Sequence, residues 1–190
     1  VIPSPSYSDY AVAAGHAGMQ VVRPKMDESN GFAIPWERIE ALLRDSDLVI
    51  LGNPNNPTGR LIERKALSSF IKRHPAVRFV IDESFLEFVP GAESIADHLP
   101  ANAVMLRSLT KFYAIPGLRL GIAVANARLA LALRGQIAPW SVNCMAYHAG
   151  IASLADRSYA DKTRTAVARF RRGLVSGLRK FAGLRVYESD

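Results

Sequence analysis

"LVILGNPNNPTGR", residues 48–60, sets four unbroken apolar residues against a run of Asn, Pro and Gly. A short apolar run closed by turn formers reads as a strand buried on both faces, the kind found in parallel sheets. Whatever follows such a strand sits at its carboxyl end, where sheets of this class collect their ligands. The polar run is therefore either a plain double turn or a turn that also directs an amide, from Asn55 or Asn56, into a crevice.

The pattern recurs along the chain. "VRFVI" (77–81) runs into Asp82, and "AVML" (103–106) runs into "SLTK". Between the first two strands, "ERKALSSFIKRH" has helical spacing, and upstream Pro35 opens a helix carrying Trp36, Ile39, Leu42 and Leu43 on one face. Further strands are expected at 19–23 and 120–125, a helical turn near 84–88, and helices over 127–134, 143–155 and 157–182. The expected class is α/β: a mainly parallel sheet flanked by helices and joined by right-handed crossovers. Three polar clusters at three equivalent strand ends are stronger than any one of them.

Composition supports an ordinary folded chain. Apolar residues make up 49% and charged residues 22% of 190, and no apolar run approaches the ~20 residues needed to cross a bilayer. The net charge of +7 admits nucleic acid, an anionic small molecule or simply a basic surface. The heaviest basic stretch, "DKTRTAVARFRRGLVSGLRK", carries Ala166, Val167, Phe170, Leu174, Leu178 and Phe181 at helical spacing, which makes it the solvated face of a packed helix. No helix-turn-helix, zinc-finger or single-strand signature accompanies it, so neither nucleic acid nor membrane is an expected partner. The lone Cys144 excludes an internal disulfide, fits a reducing cytoplasm, and reads as a small half-buried side chain. The four histidines lack metal-ligand spacing. The chain opens on "VIPSPSYSDY" and closes on "GLRVYESD", which reads as a strand with nothing to pair against. Both ends are read as cut, and the chain alone is expected to be poorly active.

Asp82 can serve as a helix N-cap, or as a carboxylate held against a protonated ring nitrogen. Glu83 should point the other way and act as a structural hydrogen-bonder. Lys111 can be a surface lysine. If the sheet end is covered, however, burial penalises the ammonium and favours a neutral amine able to attack a carbonyl. Ser108, Thr110 and Arg119 around it offer hydroxyls and a planar guanidinium, a set that matches a phosphate.

Taken together, "NPNNPTG", "VIDESFLEF" and "SLTKFYAIPGLRLG" resemble the fold-type I enzymes that use pyridoxal 5'-phosphate, in the aspartate aminotransferase superfamily. The motifs stand in that family's order, with 26 residues from Asn56 to Asp82 and 29 from Asp82 to Lys111, and the resemblance covers essentially the whole chain. It implies that Lys111 bonds the cofactor's aldehyde and Asp82 pairs with the pyridine nitrogen. By the same resemblance Asn56 would donate to the ring oxygen, and Ser108 and Arg119, with Thr110 as a weaker candidate, would hold the phosphate. Trp140 and Asn143, in "PWSVN", and Tyr7 are candidates for a substrate pocket.

Within the superfamily the chain looks like the threonine-phosphate decarboxylases of cobalamin biosynthesis, with histidinol-phosphate aminotransferases as near relatives. Phe85 stands where the aminotransferases usually carry a tyrosine, a departure that counts against ordinary transamination. The resemblance further implies a small phosphorylated amino-acid substrate and a homodimer. It also implies a cofactor-binding large domain over 1–155, with residues 156–190 as a connecting helix leading to a smaller domain.

Overall fold

The computed structural model describes residues 1–190. Four strands, β1 (Leu48–Gly52), β2 (Arg78–Asp82), β3 (Ala103–Ser108) and β4 (Gly121–Val124), form one sheet in the order β1-β2-β3-β4. The first three are parallel; β4 runs antiparallel to β3. The seven α-helices are α1 (Ser8–His16), α2 (Trp36–Glu40), α3 (Arg64–Arg73), α4 (Leu109–Phe112), α5 (Ala127–Arg134), α6 (Cys144–Ala155) and α7 (Arg157–Leu178).

Alternation along the strands builds the core. Val49 and Leu51, Phe79 and Ile81, and Ala103 and Met105 are all buried, and each pair shares one face because strand side chains repeat every second residue. Onto that face α3 lays Leu67, Phe70 and Ile71, while α2 adds Ile39. Phe70 meets Phe79 edge to face at 6.1 Å and tilts over Trp36 at 4.4 Å. Lys72 and Arg73 close α3 where the helix dipole favours cations.

Several expectations need correction. Strand 48–51 is buried on one face only: Leu48 and Ile50 are half-covered, and Ile50 lines a cavity. Residues 19–23 form no strand. The segment instead meets the amino-terminal residues through Ile2 N–H to Val22 O and Ser4 N–H to Pro24 O, both 2.9 Å. On its other side Val1 bonds to β1, but Pro3 has no N–H with which to extend that ladder. Residues 184–190 are not a strand either. The helix expected over 157–182 stops at Leu178, and α2 stops before Leu42 and Leu43. Cys144 is exposed at the start of α6 rather than half-buried.

Candidate functional site

The parallel register brings three strand ends level. Gly52 stands opposite Asp82, and Asp82 opposite Leu106, two residues before Ser108. With strands about 4.8 Å apart and about 3.3 Å per residue, the Asp82 and Ser108 backbones lie about 8 Å apart, the width of one flat heterocycle with its substituents. The polar clusters picked out from the sequence therefore share one edge of the sheet.

Asp82 is held from two sides. Its Oδ1 accepts the Ser84 N–H at 2.9 Å, closing a local turn rather than capping a helix, and its Oδ2 accepts the Tyr10 hydroxyl at 2.7 Å. No lysine or arginine of the chain pairs with it. Burial first, then the charge of Asp82 and its hydrogen bond, push the Tyr10 phenol well above its usual range, so it remains a donor. Glu83 does point the other way. Fully buried, it accepts from Ser94 Oγ at 2.5 Å, from the Ile95 N–H at 2.8 Å and from Arg107 at 3.3 Å.

Lys111 sits on the four-residue α4, which Ser108 caps by accepting from the Thr110 N–H. Ser108 Oγ also lies 2.8 Å from Thr110 Oγ1 and accepts from Lys111 Nζ at 2.9 Å. The lysine is exposed, so the burial expected to favour its neutral amine is not supplied by this chain by itself. Its ammonium stands 6.0 Å from the centroid of the Phe85 ring. Beneath α4, Phe112 meets Phe88 and Tyr113, Tyr159 stacks on Tyr113, and Arg164 of α7 donates to Glu87 O at 2.9 Å. Thus α7 braces the turn that carries the lysine.

The two asparagines of the 52–60 turn separate in role. Asn55 spends its amide on Pro5 O at 3.0 Å and Thr58 Oγ1 at 2.8 Å, tying the turn to the amino-terminal segment. Asn56 has no intramolecular partner for its amide and lines a shallow hollow of about 390 Å³ with Pro57, Phe85, Phe88 and Val89. A smaller, more enclosed cavity of about 190 Å³, walled by Met26, Phe32, Trp36 and Ile62, contains none of Asp82, Lys111 or Ser108. Its lining is mostly apolar, with Ser6, Asn55, Arg60 and Glu63 as polar members, and it shares only Asn55 with the hollow beside Asn56.

Arg119 is exposed, in the left-handed region at φ 54°, and donates to Pro116 O at 3.0 Å. Tyr7 is 43% exposed, bonds Asp9, and meets the Tyr10 ring edge to face at 5.5 Å. Asn143 caps α6 through the Ala146 N–H at 2.8 Å. Trp140 is 96% exposed and lines neither hollow, so it is not core packing and this chain builds no pocket around it. Tyr7 is the candidate named from the sequence, and it is Tyr10 that reaches the carboxylate. Tyr7 stands at the N-cap of α1 and Tyr10 inside its first turn, and only the docking of that turn against the sheet end separates the two.

A carboxylate with oriented lone pairs, a primary amine beside two hydroxyls, a guanidinium and an unpartnered amide could together hold a planar cation that bears a phosphate. The chain resembles known proteins over most of its length. Threonine-phosphate decarboxylase from Salmonella typhimurium is 38% identical over 168 residues, 86% of this chain and 46% of the relative. The chain thus spans about half the length of the curated relatives it matches. Among solved structures, histidinol-phosphate aminotransferase from Clostridium acetobutylicum superposes with a TM-score of 0.90 at 31% identity, over 99% of this chain and 58% of that one. L-threonine-O-3-phosphate decarboxylase from Porphyromonas gingivalis gives 0.82 at 28%, over 99% and 56%. The profile for aminotransferase class I and II matches residues 1–190, and with the level strand ends and their donor set this chain belongs to that family.

Proposed function

We propose that this chain carries the pyridoxal-phosphate site of an enzyme that decarboxylates L-threonine O-3-phosphate to 1-amino-2-propanol O-2-phosphate and CO2, in cobalamin biosynthesis. The observation that carries the cofactor reading is the juxtaposition at one sheet edge of an Asp82 carboxylate without a cationic partner and the Lys111 amine beside Ser108. The donor set fits the group: Lys111 would bond its aldehyde, Asp82 would meet its ring nitrogen, and Asn56 would donate to its ring oxygen. Ser108, Thr110 and Arg119 would hold its phosphate.

Bound there, pyridoxal phosphate supplies an electron sink for the carbon next to the substrate amine. The protein supplies placement and charge. Asp82, a full negative charge held by two neutral donors, favours the protonated ring nitrogen by opposite charge. Lys111, whose amine stands beside the Ser108 hydroxyl, would be the group placed to hand a proton to the substrate Cα. Phe85 walls the hollow beside Asn56 without offering a hydroxyl, which supports the decarboxylase over ordinary transamination. Identity to the Salmonella decarboxylase, 38%, supports the same choice. In this reading residues 1–155 belong to the cofactor-binding domain and 156–190 lead to a smaller one, in a cytoplasmic homodimer. Tyr7, Trp140 and Asn143 remain candidates for the substrate side, to be completed by residues outside this chain.

One observation favours a second reading, a histidinol-phosphate type of aminotransferase: the TM-score of 0.90 to the Clostridium enzyme. Incubating the intact polypeptide with L-threonine O-3-phosphate and no keto-acid acceptor separates the two. The decarboxylase releases CO2; amino transfer dependent on 2-oxoglutarate with no CO2 selects the second reading. A borohydride-reducible covalent link between protein and cofactor that survives Lys111→Ala would sink both.

A further inference from the structure

We propose that Tyr10 is a positioning residue for Asp82, whose phenol fixes the carboxylate in the orientation from which it meets a cationic ring nitrogen. The assignment rests on the cofactor reading above and adds to it a residue 72 positions away in the chain, on a different element.

Three observations converge on it. The hydroxyl donates to Oδ2 at 2.7 Å while the Ser84 N–H donates to Oδ1 at 2.9 Å, so the carboxylate cannot rotate without losing one donor. Gly52, level with Asp82 on the neighbouring strand, leaves the room through which the phenol reaches. A Cβ there would lie 3.3 Å from the Tyr10 hydroxyl and 3.2 Å from Asn55 Cα. Tyr7 meets the Tyr10 ring edge to face with the planes at 84°, while Asn55 ties the facing turn to Pro5, so the tyrosine is held on two sides. A neutral donor is the suitable partner. It orients the charge without cancelling it, whereas a lysine or arginine there would compete with the ring nitrogen.

The test compares wild type, Tyr10→Phe, Asp82→Asn, the double variant and Gly52→Ala in the intact polypeptide. It reads the dissociation constant for pyridoxal phosphate and the pH dependence of the bound cofactor's visible spectrum, with thermal melts of the cofactor-free proteins as controls. Loss of one hydrogen bond to a charged group predicts about tenfold weaker binding for Tyr10→Phe and a shifted spectral midpoint. In the Asp82→Asn background the same change should cost less than about twofold, because the two side chains act as one unit. Gly52→Ala, which crowds the phenol without removing it, should fall between wild type and Tyr10→Phe. The proposal is overturned if Tyr10→Phe binds and titrates as wild type, or if it loses the same factor in both backgrounds. Wild type that takes up no pyridoxal phosphate at all would overturn the cofactor reading and this assignment with it.

Discussion

Replacing Glu83 by alanine should unfold the protein far more readily than replacing its neighbour Asp82. The Glu83 carboxylate is fully buried and receives Ser94 Oγ, the Ile95 N–H and Arg107. Truncation strands a buried backbone donor and removes the partner of Arg107. Breaking a buried pair by deleting one member costs about 3–5 kcal/mol. Because the Arg107 side chain keeps 23% of its surface in water, part of its charge can be rehydrated. That places the expected loss near the lower end, about 3 kcal/mol, or a fall of about 6–12 °C in melting temperature for a chain of this size. Glu83→Gln keeps the volume and an acceptor for Ile95 and should lose only about 1 kcal/mol. Asp82→Ala gives up two bonds from neutral donors at a half-exposed position and should lose about 1–2 kcal/mol. Urea titration followed by far-ultraviolet circular dichroism measures all three. An alanine variant at 83 within about 1 kcal/mol of wild type would refute the division of labour, in which residue 83 holds the turn and residue 82 faces the ligand.

Asn102→Ala should destabilise by about 2–3 kcal/mol in the same assay, since one buried amide serves the carbonyls of Ile71, His74 and Val77 between the end of α3 and the start of β2. Phe70→Ala should cost about 3–5 kcal/mol by opening a cavity between Trp36 and Phe79. The Tyr113 phenol is pushed up to about 12 by burial first, then by the charge and hydrogen bond of Glu87. The folded form thus holds its proton after the unfolded chain has lost it. That stability is full below pH 10 and lost as pH rises toward about 12. Tyr113→Phe should flatten stability against pH in that window, and an unchanged slope would count against the assignment.

Much of this arrangement is legible from local chemistry. The helices expected over 127–134 and 143–155 are found as α5 and α6, and the apolar runs before Gly52, Asp82 and Ser108 announce strands. What could not be read depends on partners distant in sequence. Residues 19–23 have strand-like composition, but their neighbour is a segment interrupted by Pro3 and Pro5, so only isolated backbone bonds form. The direction of β4 depends on α4 and the turn at 116–118 doubling back, which apolar content alone does not encode. At the site, residue type separated Lys111 and Asp82 from the background. Residue type alone left Asn55 and Asn56 equivalent and the family resemblance pointed to Asn56, whereas finding Tyr10 rather than Tyr7 at Asp82 required the docking of α1. The burial expected of Lys111 failed because covering it takes surface that these 190 residues do not provide.

The hydroxyl of Ser108 has a consequence for readiness. An acid and an amine on adjoining strand tips invite mutual neutralisation, which any arriving molecule would have to undo. Here the acid is already engaged by a phenol and an amide, and the amine rests on a neutral oxygen. Detaching it from such a latch takes only about 1 kcal/mol. The protein thereby keeps its two opposite charges apart and available, waiting for something that can bridge them.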